Sequence, residues 1–401
     1  MGRFQSTKDF PSGRRGFTIS PVKVLLSILI VPAFAAPSKG IDEIPLPAEG
    51  ITAIGDVHGD FEAFHKLLRS VGLVDGAGRW SGGKRILVQV GDLLDRGPRS
   101  RPAVDLLMRL EGEARAAGGR VEVLMGNHEA MNLTGDLRYV TPGEFEAFEA
   151  DEAASDIRAK RREEILKLVR SGSPLLRSGY YRNLSRILNE NTFDRYFPPG
   201  YFAHREAFSP GGKYGRWLLE RKTVHLEGRA LFLHAGLSEE HGLAAAAEIN
   251  RRIREGLDEY FKIIAHLEAL GVYHRALGYG ELIWIGEDER AAGKPHPDVA
   301  KAYLRLTQLQ AGPLLAENGP LWYRGLALGD ERRFDGLVDK ILAFHGVERI
   351  VIGHTQPADL CIEARFGGKV YLIDTGMNHA VYRGRATALF LTPDGRVQAW
   401  E

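Results

Sequence analysis

Five times along this chain a short apolar run breaks off into glycine or a turn that carries histidine, aspartate or asparagine. ITAI runs into GDVHGD, ILVQV into GDLLDRG, VEVLM into GNHE, ALFL into HAG, and IVI into GHTQ. Runs of this length and composition read as buried β-strands ended by turns. Between the first three lie residues 61–71 and 102–117, with apolar residues at helical spacing, so the segment reads β-α-β-α-β with parallel strands. In α/β sheets the carboxyl ends of neighbouring strands lie along one edge, and ligands bind there. Asp56, His58, Asp92, Asn127, His128, His234 and His354 are therefore expected to converge on one pocket.

Each of these residues alone has an ordinary explanation. A single histidine after a strand is usually just hydrogen-bonded, and Asp or Asn beside Gly is common turn chemistry. His65, His204, His225, His241 and His266 lack the strand-end setting and read as structural. Turn chemistry does not explain why the same three residue types recur at five strand ends. The single cysteine, Cys361, rules out a disulfide framework and a Cys-based zinc cage, so a metal here would be held by His, Asp, Glu or Asn. One bridging carboxylate, a carboxylate with an imidazole on one side, and an amide oxygen with two imidazoles on the other would hold two divalent ions about 3.5–4 Å apart. A water bridged between them would lose its proton near neutral pH and become a nucleophile. That donor mix suits Mn, Fe, Zn or Co better than Ca or Mg. The 53 Lys and Arg residues balance 52 Asp and Glu, so a net charge of +1 gives no reason to expect a nucleic-acid or acidic-membrane partner.

At GDVHGD, GDLLDRG and GNHE, in that order, the chain resembles the calcineurin-like metallophosphoesterases, and more narrowly the PPP phosphoprotein phosphatases. The arginine-glycine closing the second motif is usually absent from the wider superfamily. The resemblance implies that Asp56 and His58 bind one metal, that Asp92 bridges, and that Asn127, His234 and His354 bind the other. It implies further that His128, oriented by Asp95, is the general acid protonating the leaving oxygen, while Arg96 grips the phosphate. ENGPLWYRGLALG is similar to the segment that carries a second phosphate-binding arginine in the bacterial, Shewanella-like branch, which points to Arg324. Arg216 and Asp374 are candidates for the pocket rim or for a supporting position just behind the ligating residues. The implied activity is hydrolysis of phosphate monoesters, with phosphoprotein or phosphopeptide as substrate. The rival is hydrolysis of dinucleoside polyphosphates or other small phosphoesters.

The implied fold is a two-sheet β-sandwich flanked by helices, with a βαβαβ core and a helical insertion at about 133–215. Within that insertion EAFEADEAASDIRAKRREEILKLV reads as a solvated helix or helix pair, and YFPPGYFAHREAF as an irregular loop. Residues 243–270 read as a further helix. After Gly346, ERIVIG, KVYLIDTG, RATALFL and RVQAWE suggest a second, largely antiparallel sheet. The first residues carry a different message. A basic lead, the apolar run VLLSILIV and a small-x-small site at Ala33 to Ala35 fit a signal peptide over residues 1–36, with a linker at 37–49 and the folded domain at 50–401. GRRGFTI upstream resembles a twin-arginine signal. The expectation is an exported, periplasmic or secreted enzyme with no membrane span once the signal is cleaved.

Overall fold

The computed structural model describes residues 49–400, so the signal peptide expected over residues 1–36 and nearly all of the linker expected at 37–49 lie outside the described residues. The chain opens as expected, with β1 (Ile51–Ile54), α1 (Phe61–Ser70), β2 (Ile86–Gln89), α2 (Ser100–Ala116), β3 (Arg120–Val123) and α3 (Asn127–Thr134). The Asp60 side chain accepts from Ala63 N and starts α1, which buries Phe64, Leu67 and Leu68. Then come α4 (Pro142–Glu146), α5 (Glu149–Ala153), α6 (Ile157–Ser171), α7 (Tyr180–Ile187), α8 (Phe193–Tyr196), α9 (Tyr201–Ala207) and α10 (Lys213–Leu219). The antiparallel pair β4 (Val224–Glu227) and β5 (Ala230–Leu233) precedes α11 (Ala246–Ala269), α12 (Tyr279–Ala292), α13 (Pro297–Gln310), α14 (Gly325–Leu328) and α15 (Glu331–His345). The chain ends with β6 (Arg349–Ile352), β7 (Glu363–Arg365), β8 (Val370–Leu372), α16 (His379–Tyr382), β9 (Ala388–Leu391) and β10 (Val397–Trp400).

The strands form two five-stranded sheets, ordered β10-β9-β1-β2-β3 and β4-β5-β6-β8-β7. Their alternating side chains sort the core into layers. Ala53, Val88, Phe232, Val351 and Leu389 pack together between the sheets. Ile54 and Leu87 face α1 and α2, whereas Leu231, Leu233, Ile350 and Ile352 face Val338 and Ile341 of α15. A fourth apolar cluster joins the insertion to α11–α13, through residues such as Ile165, Tyr181, Phe202, Ile263 and Leu306.

Three expectations need correction. β9 and β10 do not join the second sheet; β9 runs antiparallel to β1 and extends the first. The second sheet is mixed rather than largely antiparallel, because β6 pairs in parallel with both β5 and β8. Apolar alternation says which faces are buried but not which neighbour a strand takes. The segment YFPPGYFAHREAF contains the last residue of α8 and all of α9, whose Tyr201 and Phe202 are buried in the helical cluster. None of the helices among the described residues is long and apolar enough to cross a membrane.

Candidate metal centre and active site

The turns after β1, β2, β3, β5 and β6 bring their polar residues to one buried site. Asp92 stands at its middle. Its Oδ2 lies 3.6 Å from His58 Nε2 and 3.8 Å from His128 Nε2, and its Oδ1 lies 3.3 Å from His234 Nε2. On one side, Asp56 Oδ2 is 3.8 Å from His58 Nε2. On the other, Asn127 Oδ1 and His354 Nδ1 lie 2.8 and 3.1 Å from His234 Nε2.

The backbone is bent to make this possible. His58, Asp92, Asp95, Arg96 and His354 all have positive φ, between 47° and 69°, a region that non-glycine residues occupy at a cost of about 1–3 kcal/mol each. Cross-links hold these turns. Val57 and His58 amides donate to Asp92 O, the His354 amide donates to the Asp56 carboxylate, and the buried Glu129 carboxylate accepts from the amides of Asp92, Leu93, Leu94 and Gly126. At Gly126 and Gly353 the carboxylates of Asp92 and Asp56 sit where a Cβ would be, so a larger residue would displace them.

The donors fit divalent cations. His58 and His234 each turn Nδ1 onto a backbone carbonyl, of Leu94 and Val90, both at 3.0 Å. That fixes Nδ1–H and leaves each Nε2 lone pair aimed at the carboxylates, as metal-binding imidazoles are oriented. Burial pushes the His58 pKa down to about 3, and burial with the neighbouring His234 and Arg324 pushes His354 down to about 2, so both rings stay neutral. Burial, together with the charges of Asp374 and Asp92, holds the Asp56 pKa well above the usual carboxylate range. Although burial opposes it, His234, His128 and His58 hold Asp92 well below that range. His354 Nε2 is buried with no hydrogen-bond partner. Facing lone pairs and crowded buried acids are an arrangement that cations relieve. His58, Asp92 and His128, and separately Asp92, His234 and His354, place ligand atoms within 4.8 Å of one another.

Beside the donors, His128 Nδ1 lies 2.7 Å from Asp95 Oδ2. Burial disfavours the imidazolium, but the Asp92 charge and the bond to Asp95 outweigh it and raise the His128 pKa. Arg96 Nη2 is 3.5 Å from His128 Nε2, and Arg324 Nη1 donates to His354 O and Thr355 Oγ1, both at 2.8 Å. Asp374 is fully buried, accepts from Gln356 and Gly376, and has its pKa raised to about 6 by burial, so it lies against Asp56 rather than on an open rim. Arg216 is not brought to the site. It is exposed on α10, bonded to the Gly211 carbonyl, and its helix is tied to α2 by Lys213, Tyr214 and Trp217.

Four neighbours escaped the sequence reading. Asn132 donates to Asp95 Oδ1 and to His128 O, and its position four residues after His128 was a legible helical cue. Asn378 donates to His58 O at 2.7 Å. Tyr139 and Tyr382 set their rings 4.4 and 5.5 Å from the Arg96 guanidinium, against His128 and His58 respectively. Nothing in the spacing marked these three.

The model of the calcineurin-like phosphoesterase family matches residues 50–357. Shewanella-like protein phosphatase 2 of Arabidopsis thaliana is 28% identical over 353 residues, which cover 87% of this chain and 77% of the relative. Shewanella-like protein phosphatase 1 of Plasmodium berghei is 43% identical over 98 residues, 24% of this chain and 27% of the relative. Among solved structures, a cold-active protein tyrosine phosphatase superposes with a TM-score of 0.54 at 23% identity, covering 88% of this chain and 80% of that one. The cold-active protein-tyrosine phosphatase of a psychrophilic Shewanella species does so with a TM-score of 0.54 at 22% identity, over 88% and 82%. At such identities the likeness speaks for the fold.

Proposed function

The chain belongs to the calcineurin-like phosphoesterases, and from that membership we propose that it is a two-metal protein phosphatase that hydrolyses phosphate monoesters on phosphoprotein or phosphopeptide. The observation that carries the reading is the pairing of the Asp92-centred donors with the Asp95–His128 couple and Arg96 at one buried end of the sandwich. When bound, two divalent ions, Mn, Fe or Zn in this reading, supply Lewis acidity and an activated water. Asp56 and His58 would hold one ion, Asn127, His234 and His354 would hold the other, and Asp92 would contribute to both.

The remaining steps belong to the chain. Arg96 and Arg324 hold the phosphate oxygens, where charge grows in the transition state and fixed donors count most. His128 gives the Nε2 proton to the departing oxygen, while Asp95 keeps Nδ1–H in place and favours the imidazolium. Asn132 holds Asp95 and the His128 backbone in register. The rings of Tyr139 and Tyr382 beside Arg96 offer flat surfaces to an aryl leaving group, which favours phosphotyrosine over phosphothreonine. The Arabidopsis and Plasmodium relatives are named as protein phosphatases, and the fold neighbours as tyrosine phosphatases. The basic lead and apolar run ahead of Ala35 support export from the cytoplasm.

The test is a substrate panel. Protein loaded with Mn, Fe or Zn is assayed on p-nitrophenyl phosphate, a phosphotyrosine peptide, a phosphothreonine peptide and diadenosine tetraphosphate. The reading expects kcat/KM to be highest on the phosphotyrosine peptide. Faster turnover of diadenosine tetraphosphate than of either peptide would replace it with the small-molecule reading, and no turnover with any metal would remove it.

A further inference from the structure

At the opposite end of α3 from Asn127 and His128, a cavity of about 240 Å³ opens between α9 and α11. Leu133 and Thr134, the last residues of α3, form part of its wall. Its depth is apolar and aromatic, with Phe202, Tyr260, Ile264 and Tyr273 buried around it. Its charges are lopsided: three arginines, Arg161, Arg205 and Arg275, and one carboxylate, Glu206. Two of the arginines are already engaged, Arg161 with Glu164 at 2.9 Å and Arg275 with Glu268.

Arg205 differs. Among the described residues it makes no ion pair. Its Nη1 donates to the Asn132 carbonyl at 2.9 Å, and its Nε is buried with no hydrogen-bond partner. The groups on which its charge bears include the phenols of Tyr260 and Tyr273. The carboxyl end of a helix offsets only about half a unit charge, so a cation against apolar walls is left with part of its charge uncompensated. A small anion would complete it, and a space of this size holds a body of roughly eight water-sized groups at about 30 Å³ each. Asn132, whose carbonyl Arg205 holds, is also the residue whose side chain bonds Asp95 and the His128 carbonyl. The cavity thus stands two hydrogen bonds from the proposed acid.

We propose that this cavity is an effector site for a small amphipathic carboxylate, its acid group on Arg205 and its apolar body against Phe202, Tyr260 and Ile264, coupled to the active site through Asn132. Arg205, the lining guanidinium that makes no ion pair among the described residues, selects an anion, and the aromatic walls select one with an apolar body. A charged ligand drawing on Arg205 competes with the Asn132 carbonyl for the same guanidinium. That competition is how occupancy reaches Asp95.

The test uses the full metal-loaded chain and four probes at fixed ionic strength: octanoate, octanol, octylamine and acetate. Calorimetric titration should show saturable 1:1 binding of octanoate, at least tenfold tighter than any of the other three. Arg205→Gln should weaken it at least tenfold. Ala265→Trp, at an exposed lining position of α11, should block it without disturbing buried packing. Saturating octanoate should change kcat on p-nitrophenyl phosphate at least twofold in the parent protein and not in Ala265→Trp. Octanoate binding that is competitive with inorganic phosphate, matched by octanol, or unchanged in both variants would overturn the site. Binding in the cavity that leaves kcat unmoved would overturn the coupling.

Discussion

His128 and Glu129 are adjacent and both buried, yet they do different work. The ring of His128 is held by Asp95 and faces the site, and its raised pKa favours the protonated ring that the proposed acid role requires. His128→Asn should therefore retain bound metal and lose most of its kcat on alkyl phosphates, with a clearly smaller loss on p-nitrophenyl phosphate, whose leaving group needs little protonation. Equal losses on both esters would argue against the acid role. The two oxygens of the buried Glu129 accept from four backbone amides, three of them in the turn of residues 92–96, where Asp92, Asp95 and Arg96 have positive φ. Glu129→Gln keeps the shape but exchanges one acceptor oxygen for an NH2 that confronts two amide N–H groups. Urea denaturation should show a loss of about 2–4 kcal/mol, since each stranded buried donor costs about 1–3 kcal/mol. A change within about 0.5 kcal/mol would mean that the turn holds itself.

Among the elements, β1, β2 and β3 with α1 and α2 were legible because each strand is a short apolar run closed by a turn and each helix has one apolar face. The insertion was legible only in part: residues 146–169 read as a helix or helix pair and form α5 and α6, with Ile165, Leu166 and Val169 marking the buried side of α6, whereas α4 and α8 have five residues or fewer, too short for a period to show. What orders this region is aromatic packing, which leaves little periodic trace. His204 on α9 lies fully buried, its ring centroid 5.2, 5.2 and 4.7 Å from those of Phe145, Phe148 and Phe208, with neither ring nitrogen hydrogen-bonded. Burial, aided by the charge of Arg205, pushes its pKa down to about 3, against about 6.5 in an unfolded chain. The folded state thus binds fewer protons than the unfolded one. Stability is full above about pH 6.5 and is lost as the pH falls toward about 3, at roughly 1.4 kcal/mol per unit. His204→Phe removes this penalty. Its Tm relative to the parent should rise between pH 8 and pH 5, and a difference that stays flat would show that the imidazole is protonated or solvated in place.

At the scale of the molecule, the convergence of distant residues was legible and the assignment of strands to sheets only in part: β1–β3 and β6 with β8 stand in the sheets expected, β9 and β10 do not. Repetition of one chemistry at five strand ends requires only that the ends share an edge of the fold. It does not reveal that β1, β2 and β3 belong to one sheet and β5 and β6 to the other. That division has a consequence for stability. Asp56, His58, Asp92 and Asn127 come from the first sheet, whereas His234 and His354 come from the second. Bound cations would therefore join the two layers as well as neutralise the acids crowded between them, where burial and the neighbouring charges of Asp374 and Asp92 press on Asp56. An ion that binds only the folded state and is present at a thousand times its Kd adds about 4 kcal/mol. Two such ions, at roughly 2 °C per kcal/mol for a large domain, correspond to a Tm difference on the order of 10 °C or more. Stripping the metals with a chelator should lower Tm by that order, and re-addition should restore it. Asp92→Asn, which alters the proposed shared ligand, should hold less metal and respond less to chelator. Complete removal verified by metal analysis with no change in Tm would show that the sheets are held by the apolar layer alone and that the ions serve only the chemistry.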